Sequence, residues 1–409
     1  MSGRVIVVGS VNIDLVGRVP HLPKPGETVT GGSYDRHHGG KGGNQAVAAA
    51  RLRRPTLFIG AAGDDTFEKE ARRALSSERV DVSMLASLPN QATGVAMILV
   101  DAIGENQIAV VPGANGAIEP GYVRDCLARL GPLAGDVLLV CNEVSLHVVR
   151  EALICAHAAG ATTILNPAPA TGIDRSTFGL ADIVTPNRTE LATLLQIETV
   201  GTGTKIDDSD ADTAKRARAL LEAGPSGPGV RRAVIVTLGA SGVVVLERTS
   251  APIPAIGRRP VNSLASSSAD ATPAEVAHLA SAQVASQVAS EAAAAGTDGP
   301  SPCDDPTDTA GAPERATAGA APTGRLKPSD LRIWEVPADR VPTIDSTGGG
   351  DAFCGALAAS LAEGRPLAEA VRRAVAAAAL ATTHVGAREG MPTANELEEF
   401  LAERAAPLA

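Results

Sequence analysis

Asp345-Ser346-Thr347-Gly348-Gly349-Gly350-Asp351 is the stretch from which the rest of the chain can be read. Three glycines run into an aspartate, and an apolar, helix-compatible stretch continues to Leu361. Glycine lets the backbone turn so that successive N–H groups point into one cavity. A helix start adds positive dipole at the same place. Gly348, Gly349 and Gly350 therefore read as an anion hole with the Asp351 carboxylate beside it. A general base that acts on a hydroxyl next to a phosphate needs that juxtaposition. The same residues can also be read as a Gly-rich turn with Asp351 as helix N-cap.

Outward from this segment, short apolar runs at 5–8, 56–59, 137–140, 162–165, 183–184 and 233–237 alternate with helical stretches at 45–52, 67–77, 146–159, 211–222, 351–362, 367–381 and 395–404. Thr393 and Glu396 form a capping box for the last. Buried strands alternating with helices predict an α/β architecture around a mostly parallel sheet. Residues 11–18, 28–36 and 93–111 alternate like strands without that rhythm and predict a small separate sheet. Residues 249–332 are Ala, Ser, Pro, Thr and Gly with almost no large apolar side chains. That composition buries too little surface to offset ordering entropy and predicts a disordered insertion, with a partner-docking segment as the alternative.

A second glycine loop, Gly39-Gly40-Lys41-Gly42-Gly43-Asn44-Gln45, precedes an Ala-rich helix. Gly42 follows Lys41 where Ser or Thr would hold magnesium, so it is not a Walker A loop. It follows a polar stretch rather than a buried strand, so it is not a Rossmann fingerprint. Lys41 and Asn44 can instead reach a small ligand. Asp14, after the first strand, can accept two neighbouring hydroxyls; Asn12 and Glu143 at strand ends, and Lys41 and Asn44 in the glycine loop, add donors and acceptors.

Together the two glycine loops resemble the signature regions of the PfkB, or ribokinase-like, sugar kinase family. Residues 9–14, 25–29, 93–96, 113–115, 166–170, 185–190 and 237–239 follow that family's order, so the resemblance spans the chain except about 249–332. It implies a three-layer α/β fold with a β-sheet lid, a catalytic domain from 1–248 and 333–409, and a homodimer through the lid. It implies ATP-dependent phosphorylation of D-ribose at O5, with Asp351 as base. Asn12, Asp14, Gly40, Lys41, Gly42, Gly43, Asn44, Glu143 and Asp351 would contact the sugar. Asn187, Thr237, Leu238, Gly239, Ala240, Ser241, Gly242, Gly350 and Asp351 would hold ATP, with Asn187 and Glu190 organising Mg2+ and phosphates. Asp345, Thr347, Ala381, His384, Gly386 and Gly390 would surround an activating K+. Two positions depart from the pattern: Gly390 replaces the usual serine ligand, and Val375 replaces a polar neighbour of adenine. Deoxyribose or nucleoside phosphorylation is the alternative within the family. A non-catalytic sugar or nucleotide sensor is the alternative outside catalysis, and a degraded 348–351 segment would mark it.

The 409 residues are 44% hydrophobic, enough for a large core. A net charge of −10 and 2% aromatics provide neither a phosphate-tracking face nor a stacking platform, which argues against nucleic acid. No apolar run is long enough to span a bilayer and no signal segment is present, so the expected location is the cytoplasm. The five cysteines are scattered, as free thiols in a reducing compartment would be.

Overall fold

The computed structural model describes residues 3–196, 210–222, 229–249 and 326–405. Most of the expected insertion, 250–325, lies outside the described residues. Its expected end at 332 is too late: a strand already begins at Leu331.

The strands are β1 (Val5–Val8), β2 (Asn12–Arg18), β3 (Ser33–Gly39), β4 (Thr56–Gly63), β5 (Val80–Leu88), β6 (Gly94–Val100), β7 (Asn106–Val111), β8 (Val137–Cys141), β9 (Thr162–Asn166), β10 (Ile183–Val184), β11 (Ala233–Thr237), β12 (Val243–Arg248) and β13 (Leu331–Val336). Among the described residues they form a nine-stranded sheet, ordered β13-β12-β11-β10-β9-β8-β1-β4-β5, and a four-stranded sheet, β3-β2-β6-β7. The large sheet is parallel except where β12 pairs antiparallel with β11 and β13. At the open end of the β12–β13 pair, Thr249 N–H donates to Asp330 O at 3.0 Å.

Side-chain alternation explains the three layers. Val5, Val7, Val137, Leu139, Ala233 and Ile235 face one core, with helices Lys41–Arg51, Gly349–Ala362 and Leu367–Ala381. Ile6, Val8, Leu138, Val140, Val234 and Val236 face the other, with helices Pro120–Leu130 and Leu146–Ala158. Both faces are covered, so the strands read as unbroken apolar runs. β5 escapes a search for such runs because, at the sheet edge, its burial is mixed.

The small sheet also departs from expectation in detail. The strand expected at 28–36 is Ser33–Gly39, because Gly31 and Gly32 take φ of +102° and +110° and end the extended chain there. The expected 93–111 piece is a hairpin, β6 and β7, whose turn is tied by the Asp101 carboxylate to the N–H groups of Ile103 and Glu105.

Candidate active site

The helix Gly349–Ala362 starts after Gly348, whose φ is +79°. A Cβ on Gly348 would lie 2.6 Å from the Ala387 carbonyl oxygen, so glycine is required there. Gly349 and Gly350 sit inside the first turn rather than in a loop before it. The Gly349 N–H reaches Ser346 O at 3.3 Å, a long internal bond. Asp351 is buried, and its side chain does not cap its own helix. Oδ2 accepts from Asn44 Nδ2 and Oδ1 from Gln45 Nε2, both at 3.1 Å. This removes the N-cap reading. Gln45 is aimed in turn by Asn166 Oδ1 at 3.0 Å.

Helix packing brings these partners together. Gly355, one turn after Asp351, lies against the helix Lys41–Arg51, where a Cβ would be 2.5 Å from Ala48 Cβ and 2.6 Å from Gln45 O. The helices can approach this closely because glycine presents no side chain there. Phe353, fully within the core, anchors the same helix with burial on the order of 1.5–3 kcal/mol.

The second glycine segment is helical from Lys41, four residues earlier than expected. Packing outweighs glycine's poor helix propensity: a Cβ on Gly42 would lie 2.7 Å from Ser10 N. Gly40, at φ +85°, turns the chain into the helix. Lys41 N–H donates to Glu143 Oε2 at 2.9 Å, and the Ser10 hydroxyl donates to the same oxygen. Asn12 Oδ1 accepts from Asn115 Nδ2 at 2.8 Å. Asp14 lies against Gly39, where a Cβ would be 2.2 Å from both carboxylate oxygens.

Burial pushes the Asp14 carboxyl up to about 6; Arg388 and His37 pull it down, while Glu143 and Asp351 push it up. The Lys41 ammonium is held charged chiefly by Asp351, against burial, with Glu143 and Glu190 adding to it. Lys41 thus stands between the expected sugar groups and the expected phosphate groups.

On the phosphate side, Asn187 and Glu190 cap the helix Arg188–Gln196 reciprocally. Asn187 N–H donates to Glu190 Oε2 at 2.8 Å, and Glu190 N–H donates to Asn187 Oδ1 at 2.7 Å. Burial raises the Glu190 pKa, opposed by that hydrogen bond and by Lys41. A carboxylate in this state gains from a nearby cation, and the oxygen donors suit Mg2+. Asn187 bridges to Thr237 at the end of β11. Leu238 N–H donates to Gly242 O at 2.8 Å, closing an exposed turn through Gly239, Ala240 and Ser241. Gly242, at φ +95°, passes so near Val336 O that a Cβ would be 2.1 Å away.

Of the expected cation residues, Asp345, Thr347, Ala381, Gly386 and Gly390 also converge. Asp345 Oδ1 accepts from Thr347 N at 2.9 Å and from Thr347 Oγ1 at 2.6 Å, and Oδ2 accepts from Gly386 N at 2.9 Å. Burial raises the Asp345 pKa, but these hydrogen bonds outweigh it and leave the carboxyl below its ordinary value. The Ala381 and Gly386 carbonyls both face Gly390. Among the described residues, His384 Nδ1 is engaged by Thr383 Oγ1 at 3.0 Å. Carbonyl and carboxylate oxygens fit a hard monovalent cation. Cys354 is a packed helix residue whose thiol burial pushes up to about 12.

Sequence reasoning missed Ser10, Gln45, Asn115, Asn166 and Arg388 as site residues. Gln45, Asn115 and Asn166 lie in motifs already noted; the polarity of Gln45 and Asn115 beside glycines, and of Asn166 at a strand end, was a usable signal. Arg388 sits in an ordinary charged stretch and carried none.

The profile described as "pfkB family carbohydrate kinase" matches residues 2–266 and 331–394. Ribokinase of Haemophilus influenzae is 29% identical over 401 residues, covering 98% of this chain and 99% of that protein. Deoxyribokinase of Salmonella typhi is 34% identical over 245 residues, 60% of this chain and 75% of that protein. The crystal structure of ribokinase from Thermotoga maritima superposes with a TM-score of 0.67 at 25% identity, covering 98% of this chain and 99% of that one.

Proposed function

The chain belongs to the pfkB family of carbohydrate kinases, and from that membership we propose that it transfers the γ-phosphoryl group of ATP to O5 of D-ribose. The observation that carries this reading is the placement of Asp351: a carboxylate at a glycine-rich helix start, held by two amides from the helix that bears the sugar-side glycines. Residues 1–248 and 331–409 supply this chemistry.

Asp14 accepts two adjacent sugar hydroxyls, and Asn12, Lys41, Asn44 and Glu143 complete the grip with the backbone at Gly40, Gly42 and Gly43. Asp351 takes the O5 proton as the O5–P bond forms and the bond to the ADP oxygen breaks. Backbone N–H groups at 348–350 stabilise charge on the transferred group. Asn187, the turn 237–242, Gly350 and Asp351 line the nucleotide side. Asn187 and Glu190 would hold Mg2+, which would neutralise charge on the phosphates. Asp345, Thr347, Ala381, His384, Gly386 and Gly390 would surround K+, which would supply fixed positive charge beside the anion hole. Positioning and electrostatics suffice for phosphoryl transfer.

Tyr34, Met97, Ile108 and Val110 are exposed on the small sheet, which supports a homodimer through the lid. A monomer in sedimentation experiments would refute that. Among the described residues no helix is long and apolar enough to cross a membrane; membership of the carbohydrate kinase family supports a cytoplasmic enzyme.

A panel of sugars and nucleosides with ATP and Mg2+, with and without K+, tests the reading. Ribose should exceed 2-deoxyribose by more than about tenfold in kcat/KM, because a missing hydroxyl leaves buried polar groups unpaired. Equal efficiency, or a preferred nucleoside, would assign the chain to another acceptor within the family.

A further inference from the structure

Arg388 is 6% exposed and lies between Asn44, which holds Asp351, and Gly39, against which Asp14 rests. Its Nε donates to Asn44 Oδ1 and its Nη2 to the Gly39 carbonyl, both at 2.8 Å, while Nη1 is buried without a hydrogen-bond partner. Gly43 makes room for it: a Cβ there would be 2.4 Å from Nη2. Its backbone is seated by Arg51, whose Nη1 donates to the carbonyls of Arg388 and Met391, both at 2.7 Å, and whose Nε and Nη2 grip Glu78 at 2.9 and 2.6 Å.

These bonds have a direction. With Asn44 Oδ1 taken by the guanidinium, the amide must point Nδ2 at Asp351. A flipped amide would turn its oxygen toward that carboxylate. Gly39, held by the other arm, is the residue against which Asp14 rests. Burying a guanidinium with one nitrogen unpartnered is costly, and a merely structural tie between two backbone segments does not require a charge.

We propose that Arg388 is a positioning residue that couples the two working carboxylates, orienting Asp351 through the Asn44 amide and supporting Asp14 through Gly39 and its own positive charge. Four charged or titratable groups act on Asp14: Glu143 following β8, His37 on β3, Asp351 on its helix, and Arg388. The inference rests on the proposed sugar kinase reading.

The test uses the full chain carrying Arg388→Gln or Arg388→Lys, with thermal unfolding and kinetics across the pH range on the acceptor that the wild type uses. Arg388→Gln removes the charge that opposes Asp14 protonation, so the acid limb of kcat/KM should move up by about one pH unit and the sugar KM should rise. Arg388→Lys keeps the charge but loses the fixed fork, so the acid limb should stay while kcat falls by about tenfold. A stability role alone would lower Tm in both without moving the limb. A folded Arg388→Gln protein with an unmoved limb, or an Arg388→Lys protein with wild-type kcat, overturns the proposal. If Arg388→Gln does not fold, the Lys variant decides. A wild type that uses another acceptor overturns the ribose reading, and the Arg388 comparison is then made on that acceptor.

Discussion

Gly390 lies so close to Ala381 that a Cβ on it would stand 2.3 Å from the Ala381 carbonyl oxygen and 3.4 Å from that of Gly386. Both carbonyls belong to the proposed cation site. A serine at 390 would be expected from the family pattern to add an oxygen ligand, but in this packing it must first displace a ligand carbonyl. Gly390→Ser should therefore raise the K+ concentration for half-activation and cost about 1–3 kcal/mol from overpacking. Activity titrated with K+ checks this, and a lowered K+ requirement would show that the loop relaxes around the new side chain.

Asp351→Asn keeps the shape of the base and removes its charge. One of the two amide donors, Asn44 or Gln45, would then face another donor, a modest structural cost. Turnover should fall at least about a hundredfold with sugar binding retained. Near wild-type kcat in the purified variant would refute the base assignment.

Gly355→Ala probes the helix contact that delivers Asp351. The new methyl group meets Ala48 Cβ and Gln45 O at 2.5 and 2.6 Å, so the two helices must separate. Stability should drop by about 1–3 kcal/mol, and kcat should fall more than sugar KM changes. Unchanged kcat in a destabilised variant would show that the helix spacing does not set the base.

Asp14 predicts opposite trends for activity and stability. Its carboxyl is pushed from 3.8 to about 6, chiefly by burial, so the folded state binds the proton more tightly than the unfolded chain. Stability from this group is present at low pH and is lost as pH rises from the unfolded value through the folded one. Sugar binding needs the carboxylate, so kcat/KM should fall as pH drops below about 6. Asp14→Asn should abolish activity yet raise Tm at neutral pH, with the gain vanishing near pH 4. Denaturation curves at both pH values decide the matter, and an equal Tm at neutral pH would remove the strained-carboxylate account.

Glu190→Gln separates capping from metal binding. Glutamine's amide oxygen can still accept from Asn187 N–H, so the helix start should survive with little change in Tm. The charge is lost, so the Mg2+ concentration for half-maximal activity should rise severalfold. A large loss of Tm without a change in Mg2+ dependence would leave Glu190 a purely structural cap.

Local signals made much of this legible in advance. Unbroken apolar runs such as Val5–Val8 and Val137–Cys141 announce strands covered on both sides, because burial of both pleat faces leaves no polar alternation. The Thr393 and Glu396 capping box forms as expected, with Thr393 N–H donating to Glu396 at 2.7 Å, because it needs only four consecutive residues. Gly348 to Asp351 and Gly39 to Gln45 could be recognised because the positive φ at Gly348 and Gly40 is a local backbone requirement that glycine meets without strain. What tertiary structure alone decided was where the helices begin and what the side chains touch. Lys41 rather than Gln45 opens its helix because Ser10 and Arg388 leave no space for side chains at 42 and 43. Asp351 meets Asn44 across 307 positions of chain, and Arg388 meets that same Asn44 across 344. No spacing or composition encodes contacts of that range; they exist because Gly355 lets two helices approach and because Arg51 seats the loop that carries Arg388.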